Sequence, residues 1–115
     1  MEQRNFKPFG SISSLTLGGG GIGNVWGETS RKEAIETVNL AYESGINHFD
    51  VAPMYGRGEA EKVLGMSLKN KPLEKINITT KCRLGNPKDS KVYDVLNDSL
   101  CRSLETMELE KVNLF

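Results

Sequence analysis

The sequence predicts an α/β fold with parallel strands. Three observations carry that prediction. Short β-prone runs alternate with stretches of helical apolar period three times, and one more strand follows. The helical stretches carry start or stop signals of their own. The loops that lead from strand to helix are rich in glycine and polar residues, and strand ends of this kind carry the function in such folds. Helical connections between successive strands make those strands parallel, with right-handed crossovers.

Each element has its own justification. Residues 12–17 (Ile-Ser-Ser-Leu-Thr-Leu) are β-prone and run into glycines, which predicts a first strand. Pro8 and Gly10 before it suit a small hairpin or lead-in. Gly18 to Gly23 form a flexible loop whose backbone is free to approach a ligand, and the loop continues through Trp26 and Gly27. Ser30 and Glu33 make an S-x-x-E capping box. Ala34, Ile35, Val38, Ala41 and Tyr42 follow on one helical face, and Gly45 stops the helix. Residues 46–50 are a second strand, and 51–58, with Pro53, Gly56 and Gly58, are loop.

A second helix starts near Glu59 and aligns Ala60, Val63, Leu64 and Leu68. Residues 75–81 read as a third strand, and Arg83 to Asp89 as a loop with Gly85 and Pro87. The third helix spans roughly 90–107, with Val92, Val95, Leu96, Leu100 and Leu104 at helical spacing. Val112 to Phe115 begin a fourth strand. The alternation fits either an open doubly wound sheet or a piece of a (β/α)8 barrel, which in full takes ~250 residues.

Composition narrows the function. The 115 residues hold 15 Lys+Arg against 15 Asp+Glu, so one neutral domain at most is expected. That balance shows no basic excess and argues against an electrostatic nucleic-acid binder. No apolar run approaches the ~18 residues of a membrane span. Met1 to Phe6 contain no apolar signal-peptide core. Cys82 and Cys101 lack CxxC spacing and form neither a disulfide framework nor a metal site. They read as reduced thiols of a cytoplasmic protein. Asn77-Ile78-Thr79 and Asn97-Asp98-Ser99 match the glycosylation acceptor pattern by chance.

The strand ends gather Gly18 to Gly23, Asp50 and Lys81, with Tyr55 in the loop after Asp50. An ammonium beside a phenol favours the phenolate, and a carboxylate beside the ammonium keeps it charged and oriented. A tyrosine so placed donates a proton near neutral pH. Carbonyl reduction needs that step: hydride reaches carbon while a proton reaches oxygen. Taken singly, each residue is equally at home in a cap, a packing contact or a solvated strand end, and only their joint placement points to chemistry. Gly18, Gly20 and Gly23 also satisfy G-x-G-x-x-G, the outline of a Rossmann dinucleotide fingerprint. Against that reading, Asn24 to Thr29 separate the glycines from the helix cap, and Asp50 lies beyond the ~20 residues at which the acidic partner is found.

Gly45-Ile46-Asn47-His48-Phe49-Asp50-Val51-Ala52-Pro53-Met54-Tyr55-Gly56, with Gly58-Glu59-Ala60-Glu61 and Leu64-Gly65, resembles the aldo-keto reductases. Leu17-Gly18-Gly19-Gly20, Ile78-Thr79-Thr80-Lys81 and Ser99-Leu100-Cys101-Arg102-Ser103-Leu104 extend the resemblance over almost the whole chain. It implies the N-terminal part of a (β/α)8 TIM barrel, about three βα units plus the start of strand four. It implies a nicotinamide cofactor, usually NADPH with NADH possible, and a small-molecule aldehyde or ketone substrate, or the corresponding alcohol.

By position, Tyr55 becomes the proton donor, Lys81 the group that eases the donation, and Asp50 the partner of Lys81. Gly20, Gly21 and Asp50 fall to the cofactor. Trp26 and Tyr55 fall to the substrate pocket, with packing an equal alternative for Trp26. His48, two residues before Asp50, points to the same strand face and reads as an interior structural group.

The resemblance places the family's catalytic histidine about three positions past Phe115. Val51 and Asn113 stand where the family often has Thr or Ser, and Asp. The expectation is a barrel truncated at its C-terminal end that is inactive alone and prone to self-association through open strand edges. Two alternatives accompany the reductase: a non-catalytic nucleotide-binding or regulatory protein on the same fold, and a Rossmann-type dehydrogenase fragment.

Overall fold

The computed structural model describes residues 1–115. A hairpin precedes the alternating part: β1 (Gln3–Phe6) pairs antiparallel with β2 (Gly10–Ser13). Gly10 closes its turn at φ 73°, a left-handed backbone suited to glycine. Then follow β3 (Leu17–Gly18), α1 (Arg31–Glu43), β4 (His48–Asp50), α2 (Glu59–Leu68), β5 (Asn77–Thr79) and α3 (Val92–Met107). Single 3-10 turns at Leu73–Lys75 and Asp89–Lys91 lead into β5 and α3.

β3, β4 and β5 form one parallel sheet in chain order, with Gly18 opposite Asp50 and Asp50 opposite Thr79. Leu114 adds the first bridge of a further parallel strand beside Thr79. Three βα units and the start of a fourth strand therefore stand as expected.

The strand expected over 12–17 is two pieces. Ser13 Oγ donates to the Leu15 carbonyl (2.6 Å) and Ser14 Oγ to that of Glu2 (3.0 Å). These side chains bend the backbone out of extension. Ile12 and Ser13 stay in the hairpin, and Leu17 starts the parallel sheet. Asn47 ties the two parts together: its Oδ1 accepts from Ser13 N (2.7 Å) and its Nδ2 donates to Ser11 O (3.0 Å). The hairpin is thus fastened to the N-terminal ends of the strands, away from the ends that bear Asp50 and Lys81.

α1 starts at the capping box. Ser30 Oγ accepts from Glu33 N, and the Glu33 carboxylate accepts from Ser30 N (2.9 Å). The Ser30 hydroxyl and amide hold the Glu33 carboxyl below its usual range. The helix ends in a Schellman motif: Gly45 at φ 88° donates to Tyr42 O, and Ile46 N reaches Ala41 O.

The core lies between the outer face of the sheet and the helices. Phe49, Ile76 and Ile78 meet Ala34, Val38 and Ala41 of α1 and Val63, Leu64 and Leu68 of α2. All four apolar residues expected on α2 are buried. On α3 the buried residues are Ser103 and Met107, while the leucine stripe is only half-buried. The reason lies in α2: a Cβ on Gly65 would stand 2.2 Å from the Met107 carbonyl oxygen. Only glycine admits that approach, and it fixes which face of α3 meets α2.

Candidate active site

The two faces of β4 divide the labour. Phe49 turns outward into the core, so His48 and Asp50 turn to the inner face. Lys81 leaves β5 two residues after Thr79, the residue opposite Asp50. Its Nζ donates to Asp50 Oδ1 and to the Val51 carbonyl (2.9 Å). The same Nζ lies 5.1 Å from the centroid of the Tyr55 ring. The structure thus brings together the three residues singled out from the sequence, with the ammonium between carboxylate and phenol ring. Asp50, Tyr55 and Lys81 are all half-buried, within reach of solvent.

His48 sits one step below. Its Nδ1 shares a hydrogen with Thr16 Oγ1 and its Nε2 with Thr79 Oγ1, both at 2.9 Å. Burial pushes the imidazole below its ordinary 6.5, against a smaller opposing pull from Asp50. Both ring nitrogens are engaged by threonines, one just before β3 and one in β5, which suits the structural role read from the sequence.

Tyr55 is held by its main chain. Its N donates to Ala52 O (3.0 Å), and its carbonyl accepts from Ala60 N (3.2 Å). The glycine loop packs against that segment: a Cβ on Gly23 would lie 3.0 Å from the Tyr55 carbonyl, and one on Gly19 would lie 2.8 Å from Val51 Cγ1. Gly23 N also donates to Gly19 O, and Val25 N to Gly20 O. The run expected to be flexible is therefore hydrogen-bonded to itself, and several of its glycines serve close approach within the protein. It does not open α1, which begins after the Ser30 cap, and this removes the dinucleotide-fingerprint reading.

Trp26 is 80% exposed, yet its indole covers Gly20, where a Cβ would meet the ring at 2.8 Å. Gly20 is buried beneath it. The nearest atom to a Cβ on Gly21 is 4.0 Å away, so Gly21 presents the more open backbone. Sequence reasoning passed over Glu61, which is 1% exposed and accepts a 2.6 Å hydrogen bond from Thr80 Oγ1. Its place between Ala60 and Val63 on the buried side of α2 was the available signal.

The aldo/keto reductase family model matches residues 14–115. The chain belongs to this family. Among curated aldo/keto reductase relatives, L-galactose dehydrogenase of Arabidopsis thaliana is 33% identical over 107 residues, 90% of this chain and 33% of that protein. The NADH-specific methylglyoxal reductase of Escherichia coli is 31% identical over 87 residues, 76% of this chain and 26% of that one. The solved glycerol dehydrogenase of Gluconobacter oxydans superposes with a TM-score of 0.73 at 26% identity, over 96% of this chain and 36% of its own. The chain thus spans about a third or less of the length of these relatives. The structural relatives are (β/α)8 barrels, and residues 1–115 correspond to a partial α/β portion with no closed barrel. No helix is long and apolar enough to cross a membrane.

Proposed function

We propose that this chain supplies the proton-donating half of a nicotinamide-dependent oxidoreductase that interconverts aldehydes or ketones with alcohols. One observation supports this above others: Lys81 Nζ stands between the Asp50 carboxylate and the Tyr55 ring. Asp50 and the Val51 carbonyl hold the ammonium in place. The ammonium favours the phenolate left when Tyr55 gives its proton to a substrate oxygen. A nucleotide-binding module on the same fold has no use for this trio, which disfavours the regulatory alternative.

The residues present suit the nicotinamide end of the cofactor. Asp50 engages Lys81 through Oδ1, and its half-exposed carboxylate retains acceptor capacity for a ribose hydroxyl. Gly21 offers open backbone in the loop whose Gly19 N donates to the Asp50 carbonyl (2.7 Å), and Gly20 is reached once the Trp26 indole swings aside. When bound, the cofactor supplies the hydride. Asp50, Gly20 and Gly21 would hold it, while Trp26 and Tyr55 would border the substrate. NADPH is the first choice and NADH the second. We place the protein in the cytoplasm, where the free thiols of Cys82 and Cys101 stay reduced.

The test is Lys81→Met in the longest product of the reading frame that carries residues 1–115. Carbonyl-dependent NADPH oxidation is expected to fall about a hundredfold or more in kcat, with the cofactor Kd moved far less. Turnover within twofold of wild type would remove Lys81 from the chemistry.

A further inference from the structure

The chain's arginines are Arg4, Arg31, Arg57, Arg83 and Arg102. Arg4 pairs with Glu2 and Arg31 with Glu59. The other three make no salt bridge, and all three line a single cleft between α2 and α3. They come from the β4–α2 turn, the segment after β5, and α3, so their convergence is invisible along the sequence. Arg57 holds φ 54° between Gly56 and Gly58, a left-handed backbone that a side chain of this size seldom adopts.

The cleft is open to solvent and has a volume of about 380 Å³, within the ~300–1,000 Å³ range of small-molecule sites. Asp50, Tyr55 and Lys81 are not among its lining residues, although their chain neighbours Met54 and Cys82 are, so the cleft adjoins the strand-end site. Its lining includes Ser103, 1% exposed, whose Oγ is the one buried side-chain polar atom with no hydrogen-bond partner. Glu61, whose carboxylate is satisfied in the protein only by Thr80, also lines the cleft. A buried orphan hydroxyl is costly unless something pairs with it.

We propose that this cleft binds a small phosphate monoester that carries hydroxyl groups. Three guanidiniums offer more donors and more charge than one carboxylate uses, and they match a phosphate dianion with its three terminal oxygens. The Glu61 carboxylate repels an anion from the inner end of the cleft. That end suits hydroxyls, which donate to Glu61 and pair with Ser103 Oγ. The ligand lies with its phosphate among the arginines and its hydroxyl end against α2 and α3. The proposal stands apart from the reductase reading.

The test titrates the longest product of the reading frame that carries residues 1–115 with sn-glycerol 3-phosphate, inorganic phosphate and glycerol, following amide shifts. Glycerol 3-phosphate is expected to saturate with shifts centred on Cys82 and Ser103, about tenfold tighter than inorganic phosphate, while glycerol alone does not saturate. Arg57→Gln with Arg83→Gln, both at exposed side chains, weakens it about tenfold or more. In a Cys101→Ser background, alkylation of Cys82, which lines the cleft, slows as the site fills. No saturable binding at ~10 mM, or affinity unchanged in the double arginine variant, overturns the site. Equal affinity for inorganic phosphate and glycerol 3-phosphate overturns the hydroxyl assignment.

Discussion

α2 and α3 are made from similar material and end differently. Both follow a strand of the same sheet, and both carry an apolar stripe at helical spacing. In α2 that stripe is sealed, with Val63, Leu64 and Leu68 at 0% exposure. In α3, Leu96, Leu100 and Leu104 stay half-buried, and the residues sealed are Ser103 and Met107. An apolar stripe therefore states what a helix is able to bury, while the neighbouring elements decide what is buried. α2 has the sheet beneath it, α1 on one side and α3 on the other. The α3 stripe faces the first residues of the fourth strand, where Leu100 and Leu104 border a groove with Val112, Leu114 and Phe115.

The contrast is broken most sharply at the helix contact. Gly65→Val forces a side chain into the Met107 carbonyl and is expected to cost more than ~3 kcal/mol, read as a lower urea midpoint. Leu64→Ala follows at about 2–5 kcal/mol, since a fully sealed leucine leaves a cavity. Leu100→Ala, the matching change on α3, is expected to cost about 1 kcal/mol or less. Equal losses at Leu64 and Leu100 would erase the distinction drawn between the helices.

A pH series sharpens the comparison on the sheet's inner face. The value of His48 is depressed in the folded state by burial. As pH falls, the unfolded chain takes up the proton first, so this contribution is complete above 6.5 and is lost as pH drops through the folded value. His48→Gln is expected to flatten the stability profile on the acid side of 6.5. An unchanged profile would place the dependence elsewhere.

The smallest effect is expected at the α3 terminus. Glu108 ends the helix at φ 54°, and Glu108→Gly is expected to stabilise by about 0.5–1 kcal/mol. Loss of its exposed contact to Lys69 offsets little of that gain. A lower melting temperature would contradict it.

What the sequence disclosed follows from how local each signal is. The Ser30–Glu33 box and Gly45 act within one turn of chain, and α1 starts and stops beside them. Asp50 and Lys81 were legible because each ends a β-prone run, and adjacent parallel strands place such ends side by side. The break between β2 and β3 was not legible, because it depends on where the Ser13 hydroxyl finds a carbonyl. The sealed face of α3 depends on Gly65, some forty residues earlier in the chain. The Trp26 indole over Gly20 and the convergence of Arg57, Arg83 and Arg102 likewise arise only once the chain has folded.

The central claim is that Tyr55 gives the proton. The most direct measurement compares wild type with Tyr55→Phe in the longest product of the reading frame, following carbonyl-dependent NADPH oxidation and cofactor Kd together. In Tyr55→Phe, kcat is expected to fall by about 10²–10⁴-fold with cofactor affinity retained. Turnover that survives the loss of the phenol hydroxyl would contradict it.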